Sequence, residues 1–341
     1  KFTRHGPVLH QDPATGYAYA LRTVWTEPGT SAYMGRLAYM DAGSAHEFGL
    51  AMRHWGAPTV NQICADVEGD IAWFAVGMVP KRPNWDGLLP VPGDGRYEWQ
   101  GFHPVAALPS AINPERGFVA TANEMNLPRG YPAADRKLGF EWSDRFRSDR
   151  IHAVLDSQAA HTLADSMALQ TDAASLPARR VCALLRGADS DGAALLRGWD
   201  GTLRADSAPA ALFEVWWTRH LKPALLELIA PADVRPLLAP GDNMQLLSVL
   251  ETMLDPGPLL ARTLEAAVGT CRNLLGRDMA AWKWGALHHA SFAHFASRVA
   301  PVARDVGPLP MGGSGSTPMA AGYRATDFRM TVGASFRMVV D

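Results

Sequence analysis

The sequence predicts an α+β fold. The first part of the chain has the residue pattern of β-strands, the middle has the pattern of helices rich in Ala and Leu, and a strand pattern returns at Phe328–Val340. Strands that frame a block of helices are typical of an α+β core with a helical insertion. We therefore expect a β-rich core at 1–150, a helical insertion at 151–285 and a return to the core at 286–341.

The first elements are a strand and a capped helix. Tyr17–Trp25 is rich in aromatic and β-favouring residues and predicts a strand. Ser44 followed three residues later by Glu47 is the pattern of a capping box, so a helix is predicted from there to about Trp55.

A hairpin and a long loop come next. Val60–Asp66 and Asp70–Gly77 predict two strands joined by a tight turn at Gly69. Residues 78–116 hold many Pro and Gly without periodicity, and so long a loop in a compact domain is usually functional. Gly117–Ala122 is apolar and predicts a short strand.

The middle of the chain predicts a series of helices. Thr162 and Asp242 are candidate N-caps, and the apolar spacing in Leu212–Ile229 and Leu259–Leu275 is typical of amphipathic helices. Breaks are expected at three prolines: Pro177, Pro231 and Pro256.

Composition and charge exclude several classes of function. The hydrophobic fraction of 48% over 341 residues allows a sizeable core and excludes general disorder. Lys and Arg number 32 against 34 Asp and Glu, which argues against a nucleic-acid or membrane-surface partner. No apolar run approaches the length of a membrane helix. Three scattered cysteines predict buried thiols, with at most one bridge among them, rather than a disulfide framework or a zinc site: Cys64, Cys182 and Cys271.

Short motifs alone do not reveal the chemistry. Gly312–Ser316 resembles a nucleophile elbow only loosely, and a flexible loop is the favoured interpretation. The histidines between His288 and His294 lack the spacing of a zinc helix. The sequence contains neither a phosphate-binding loop nor a dinucleotide fingerprint, so no organic cofactor is expected.

A longer series of motifs identifies a family. The run from Ala65 to Asn126 reads Ala65-Asp66-x-x-Gly69-Asp70-Ile71, Gly77-x-x-Pro80-x-Arg82, Leu89-Pro90-Val91-Pro92-Gly93, Glu98-Trp99-x-Gly101-x-x-Pro104 and Asn113-Pro114-x-x-Gly117-Phe118-Val119-Ala120-Thr121-Ala122-Asn123. Further matches follow at Tyr131-Pro132-Ala133-Ala134-Asp135, Asp149-Arg150-Ile151 and Trp199-Asp200-Gly201. In order and spacing this text resembles the penicillin acylase (penicillin amidase) family of N-terminal-nucleophile hydrolases. The resemblance covers nearly the whole chain and is to the interior of the family's large β chain.

The resemblance implies a fold and an activity. Family members are four-layer αββα sandwiches made as precursors, whose self-cleavage exposes a Ser at the start of the β chain. That Ser attacks an amide, and its own α-amino group accepts the hydroxyl proton, which a reference pKa near ~7.7 allows. The implied substrate is a small acyl amide, such as a β-lactam or an N-acyl-homoserine lactone. The implied setting is the periplasm or the exterior, with a small α chain and a structural calcium ion.

The first residue departs from the family pattern. Lys1 is not Ser, Thr or Cys, so the nucleophile is expected upstream, in a missing N-terminal part of the same precursor. We expect the 341 residues alone to be an inactive fragment. The alternative is a catalytically inactive binding or structural relative that has lost the nucleophile.

Two residues are carried over as catalytic candidates. Asn123 matches the family's Asn whose side-chain amide donates to the oxyanion. If the match to the motif is shifted along the sequence, Asn126 is the next candidate. The alternative without a catalytic role is that Asn123 caps a turn. Arg150 matches an Arg near the nucleophile that helps to orient the amine and the Asn. An ordinary ion pair is the alternative for Arg150, and Arg145 and Arg147 lie close enough in sequence to compete for the match.

Other residues are candidates for the acyl pocket and for calcium. Val60, Asn61 and Trp85 fall near the family's acyl-pocket wall, with core packing as the alternative. Asp135 matches a calcium ligand and Gly87 would offer a backbone carbonyl, although Asp135 is also read as a helix cap. The remaining calcium ligands are expected outside this chain, because calcium takes about six to eight oxygens.

Overall fold

The computed structural model describes residues 1–31, 33–185, 187–300 and 304–340. The chain divides into two compact units, Lys1–Thr121 with Met125–Trp142 and Ala122–Glu124 with Ser143–Asp341. This division does not test the expected three-part organisation, which stays a prediction. Residues 301–303 and 341 of its last part lie outside the described residues.

The first unit is built from antiparallel strands and one helix. Its elements are β1 (Phe2–Thr3), β2 (Gly6–Asp12), β3 (Tyr17–Ala20), α1 (Ala45–Ala51), β4 (Val60–Ala65), β5 (Ile71–Val76) and β6 (Ser110–Ile112). One sheet has the order β1-β2-β3 and the other the order β4-β5-β6, with antiparallel pairing throughout. A small buried cluster next to the second sheet gathers Met52, Trp55 and Val76.

The predicted hairpin β4–β5 is confirmed, and one carboxylate organises its turn. Oδ1 of Asp66 accepts the backbone N–H groups of Glu68 at 3.1 Å and of Asp70 at 2.9 Å. Oδ2 of Asp66 accepts the N–H of Ala45 at 2.9 Å, which ties the start of α1 to the turn. These backbone donors, that of Ala45 first, hold the pKa of Asp66 below its usual value.

The predicted N-cap of α1 is confirmed, but the return bond of the predicted capping box is shifted by one residue. Oγ of Ser44 accepts the N–H of Glu47 at 3.2 Å, and the Glu47 carboxylate reaches back to the N–H of Gly43 at 2.8 Å. The helix ends at Ala51 and continues as a 3₁₀ turn over Met52–His54, close to the predicted end.

Three strand predictions need correction. Tyr17–Trp25 is a strand only to Ala20, and a 3₁₀ turn follows at Val24–Thr26. Gly117–Ala122 is not a strand, and among the described residues the second sheet ends at β6. Phe328–Val340 contains only the short strand Met330–Val332. The physical reason is that apolar alternation favours an extended backbone, whereas a strand also requires a neighbouring backbone to pair with.

The second unit is mainly helical, and its helices lie in the middle of the chain, where the sequence predicts helices. Its helices are α2 (Phe146–Leu155), α3 (Leu163–Gln170), α4 (Leu176–Ala183), α5 (Asp191–Leu196), α6 (Ala208–Trp216), α7 (Lys222–Ile229), α8 (Arg235–Leu238), α9 (Asn243–Thr252), α10 (Gly257–Leu275) and α11 (Trp284–Leu287). Two antiparallel pairs join them: β7 (His289–Phe292) with β8 (Val306–Pro310), and β9 (Gly322–Tyr323) with β10 (Met330–Val332). No helix within the described ranges is long and apolar enough to span a bilayer.

The core of this unit forms around α6 and α10. A π-helical turn at Trp217–Leu221 joins α6 to α7, so the predicted amphipathic stretch 212–229 is one continuous helical rod with a widened turn. Large side chains that are fully buried include Phe213, Trp216, Leu225 and Trp284. Burying such side chains stabilises the fold by roughly 1.5–3 kcal/mol each.

Helix boundaries follow the predicted signals. Oγ1 of Thr162 accepts the N–H of Asp165, whose carboxylate returns to the N–H of Thr162 at 2.8 Å. Asp242 accepts the N–H of Gln245 at 2.7 Å and caps α9. The three prolines lie between or at the start of helices rather than inside them, which fits their missing N–H group: Pro177, Pro231 and Pro256.

Candidate active site

Asn123 lies in a tight turn of the second unit, with its side chain exposed. Its backbone has a φ of 66°, in the left-handed region that Asn tolerates better than most residues. Its carbonyl oxygen accepts the N–H of Ser143 at 2.9 Å. The neighbours Ala122 and Glu124 are buried, and the Glu124 carboxylate accepts the N–H of Ala122 at 2.7 Å. The turn therefore holds Asn123 outward between two anchored residues.

A guanidinium fixes the orientation of the Asn123 amide. Nη2 of Arg147 donates to Oδ1 of Asn123 at 3.0 Å and lies 3.3 Å from Oγ of Ser143. A guanidinium has only donors, so the amide must present its oxygen to Arg147. The Nδ2 group consequently points away from Arg147 with two N–H donors, the orientation that an oxyanion donor requires.

Arg150 makes a different contact from the one that its predicted role requires. Its Nε and Nη2 donate to Oδ2 of Asp172 at 2.9 and 2.6 Å. The side chains of this pair are only 26% and 13% exposed, and the other Asp172 oxygen accepts the N–H of Ala174 at 2.7 Å. This ion pair links α2 to the segment after α3, and the expected approach of Arg150 to Asn123 stays a prediction.

The competing arginines separate clearly. Arg145 pairs with Asp149 at 3.2 Å in an exposed contact one turn along α2. Of the three arginines that compete for the match, Arg147 is the one that contacts Asn123. The sequence could only narrow the choice to these three arginines, because all three lie within one and a half turns of a helix. Packing determines which of them contacts Asn123. The catalytic roles of Asn123 and Arg150 stay predictions.

The acyl-pocket candidates lie in the first unit. Oδ1 of Asn61 accepts Nε1 of Trp73 at 2.7 Å and Nδ2 of Asn126 at 3.3 Å. Val60 is half-buried and packs on the Met52 cluster. The amide of Asn126, the alternative oxyanion donor, is thus directed to Asn61.

The indole N–H of Trp85 is a hydrogen-bond donor without an acceptor among the described residues. Its Nε1 is buried, as is Nε of Arg82, and neither has a hydrogen-bond partner among the described residues. The Arg82 guanidinium lies 5.8 Å from the Trp85 ring centroid, and burial lowers the pKa of Arg82. The pocket role of Val60, Asn61 and Trp85 stays a prediction.

The calcium candidates do not form a complete site by themselves. Asp135 is an exposed residue in a turn, and its N–H donates to the Pro132 carbonyl at 3.1 Å. Gly87 has a φ of 94° and packs so closely on Arg82 that an added Cβ would lie 3.0 Å from Nε of that guanidinium. The calcium roles of Asp135 and Gly87 stay predictions. Within the described ranges, no group of three or more His, Cys, Asp or Glu side chains could hold a metal.

The three cysteines are free thiols in the structure, but only Cys271 is buried as predicted, whereas Cys64 and Cys182 are half-buried. Burial raises the pKa of Cys182 and of Cys271 to about 12 in each case. Burial followed by the charge of Asp66 also raises the pKa of Cys64. Because the thiolate is the nucleophilic form, these thiols are suited to packing rather than to nucleophilic catalysis.

The comparison with solved structures concerns the fold. The chain is similar to a thermostable penicillin G acylase from Alcaligenes faecalis, with a TM-score of 0.65 and 21% sequence identity over 82% of this chain and 58% of that one. This similarity confirms the predicted α+β fold of an N-terminal-nucleophile hydrolase.

The sequence comparisons concern the family. An acyl-homoserine lactone acylase QuiP from Pseudomonas syringae pv. syringae is 30% identical, and a penicillin acylase 2 proenzyme from Pseudomonas sp. strain SE83 is 29% identical. Each match covers 99% of this chain and 46% of the relative, so the chain spans about half the length of these relatives. The penicillin amidase family model matches residues 1–341. The chain therefore belongs to the penicillin amidase family.

Proposed function

We propose that the complete protein hydrolyses a small acyl amide, such as a β-lactam side-chain amide or an N-acyl-homoserine lactone. The names of the similar proteins, which are acyl-homoserine lactone and penicillin acylases, support this proposal. The nucleophile in the proposal is an N-terminal Ser that lies outside these 341 residues.

The observation that carries the proposal is the fixed amide of Asn123. In the first step the Ser oxygen forms a bond to the amide carbon, its proton passes to the α-amino group, and the carbonyl oxygen becomes an oxyanion. Nδ2 of Asn123 donates to that oxyanion, and Arg147 keeps the amide from rotating. Collapse of the intermediate expels the protonated amine, and water then releases the acid from the acyl-enzyme. One such donor lowers the barrier by about 2.7–4 kcal/mol in hydrolases generally.

Substrate choice is assigned to the first unit. In this proposal Val60 and Trp85 supply apolar surface for the acyl chain, and Asn61 follows Val60 on β4. Apolar walls select an acyl group mainly by its length and shape, because one methylene contributes only about 1–3 kcal/mol. Shortening or filling these side chains is therefore expected to shift preference among acyl chains rather than to abolish turnover.

The setting of the enzyme completes the proposal. A small α chain and the missing N-terminal part would come from the same precursor, which matures in the periplasm or outside the cell. A structural calcium ion would use Asp135 and the Gly87 carbonyl together with ligands from those other segments, since calcium takes about six to eight oxygens. Calcium takes no part in the catalytic steps proposed here.

The test uses the full-length protein with two substrates, a chromogenic phenylacetyl amide and an N-acyl-homoserine lactone. Turnover of either one, together with an acyl-enzyme adduct on an N-terminal Ser seen by intact mass, is the expected result. A folded, processed protein that cleaves neither substrate, and whose β chain begins with a residue other than Ser, would instead establish the catalytically inactive relative.

A further inference from the structure

A polar cavity of about 360 Å³ lies within the second unit, and its lining includes Ser143, whose N–H donates to the Asn123 carbonyl. One wall is the helical rod α6–α7, which contributes Glu214, Thr218 and Lys222. Other lining residues are Ser316, in the loop Gly312–Ser316, and Tyr323 on β9. Small-molecule sites in proteins have about this volume and combine apolar walls with a few convergent polar groups.

Glu214 supplies a buried acceptor to this cavity. The residue is 3% exposed, and its Oε2 accepts the hydroxyl of Tyr323. Tyr323 is in turn 2.7 Å from Oγ1 of Thr218. Burial raises the pKa of Glu214 to about 7, against the opposing effects of the Tyr323 hydrogen bond and the Lys222 charge. A carboxylate has room for about four hydrogen bonds, so Glu214 can accept more than the one from Tyr323.

Lys222 supplies a buried donor two turns further along the same rod. The residue is 7% exposed, and its Nζ donates to Oδ1 of Asn243 at 2.9 Å. Nδ2 of Asn243 is bound to Oδ2 of Asp144 at 2.8 Å and to Oγ of Ser316 at 3.1 Å. An ammonium group has three N–H donors, and Asn243 uses one of them. Lys222 therefore has capacity for a second acceptor.

The helical rod is widened where it borders the cavity. The N–H of Lys222 bonds to the carbonyl of Trp217, a five-residue step in place of the usual four. This π turn places Glu214 and Lys222, eight residues apart, on the same cavity wall. Isolated π turns are rare in helices and occur frequently at functional sites, which is an observation independent of the charges.

We propose that this cavity binds a small zwitterion of the α-amino acid type, with its carboxylate on Lys222 and its ammonium group on Glu214. Such a ligand pairs both buried charges at once. A simple anion would find a partner only at Lys222 and a simple cation only at Glu214, whereas a zwitterion adds no net charge to a site in which Glu214 and Lys222 already offset each other. The rings of Phe213 and Trp217 line the same cavity and provide apolar surface for a short side chain.

The binding experiment compares ligands of different charge on the full-length protein. Glycine and L-alanine are titrated by calorimetry at pH 8, where Glu214 is mostly ionised, alongside ethylammonium and acetate, which carry one charge each. The expected result is binding of both zwitterions at least tenfold tighter than binding of either singly charged ion. This comparison needs no variant, so it cannot fail through misfolding.

Two variants with matched controls locate the site. Glu214→Gln and Lys222→Met should each weaken glycine binding at least tenfold, whereas the exposed changes Glu227→Gln and Lys283→Met should leave it unaltered. The proposal is overturned if the zwitterions do not bind, if ethylammonium or acetate binds equally well, or if folded Glu214→Gln binds glycine as the unaltered protein does. None of these readouts requires amide hydrolysis, so the outcome is independent of the proposed function.

Discussion

Two polar sites in the second unit hold their side chains by opposite means. Asn123 is exposed and is fixed by a turn, one guanidinium and the N–H of Ser143. Glu214 is buried and is fixed by a hydroxyl from Tyr323, a residue 109 positions away in the sequence. The first site presents a preset donor to whatever approaches from solvent, whereas the second keeps a titratable group out of water. From this difference we expect substitutions of Asn123 to alter the catalytic rate. Substitutions of Glu214 should instead alter the free energy of unfolding and its dependence on pH.

The largest expected effect is on the rate at the exposed site. Asn123→Ala in the full-length protein should lower kcat about 10²- to 10³-fold with little change in KM, because an oxyanion donor acts on charge that exists only in the transition state. Steady-state kinetics with the phenylacetyl amide give the measurement, and a melting curve shows that the variant is folded. An unchanged kcat with a lowered Tm would show that Asn123 is only a turn cap.

The next effect is on stability at the buried site. Glu214 keeps its proton in the folded state up to about pH 7 but releases it near 4.5 when unfolded, so stability falls as pH rises between these values. The charged or titratable groups facing it are Lys222 and Tyr323. Glu214→Gln should remove this fall in unfolding free energy. The fall amounts to about 3 kcal/mol between pH 4.5 and 7, at about 1.4 kcal/mol per pH unit.

Denaturant unfolding at several pH values between 4 and 8 measures that difference. The curve of the unaltered protein should drop relative to Glu214→Gln across the window and run parallel to it above about pH 7. Glu227→Gln on the exposed face of α7 serves as the control and should follow the unaltered protein. Parallel curves for the protein and Glu214→Gln throughout would contradict a buried, protonated Glu214.

These two sites also show how far the sequence can be interpreted. The N-caps at Ser44 and Thr162 and the hairpin turn at Asp66 were predictable because their donors and acceptors lie within a few residues. Asn123 was reached through a motif that resembles a family, not through its geometry. The cavity around Glu214 could not be predicted, because it depends on a π turn and on contacts across about a hundred residues.

Strand predictions failed for a related reason. Gly117–Ala122 has the composition of a strand, yet among the described residues the sheet ends at β6. A strand forms only when two segments of backbone pair with each other. The composition of one segment does not show whether a partner segment lies beside it. The choice among the arginines of α2 is similar: position along the helix narrows the candidates, and packing assigns Arg147 to Asn123 and Arg150 to Asp172.

The two arginines allow a direct test within one helix. Arg147→Ala should lower kcat about tenfold, because the freed Asn123 amide can rotate away from the oxyanion, and Arg147→Lys should restore part of the loss. Arg150→Ala should have the larger effect on unfolding free energy, about 1–3 kcal/mol, since it leaves the largely buried Asp172 without its cation. The reverse ranking in both kcat and stability would return the active-site role to Arg150.

The smallest effect separates the backbone of Asn123 from its side chain. A φ of 66° is strained for Ala but not for Gly. Asn123→Gly and Asn123→Ala remove the same amide, so the two variants should have the same reduced kcat. Asn123→Gly should nevertheless be more stable than Asn123→Ala by about 1 kcal/mol, as measured by denaturant unfolding at one pH. Equal stabilities would mean that the turn relaxes to a negative φ when the amide is lost, and the orientation of Asn123 would then depend on Arg147 rather than on the backbone.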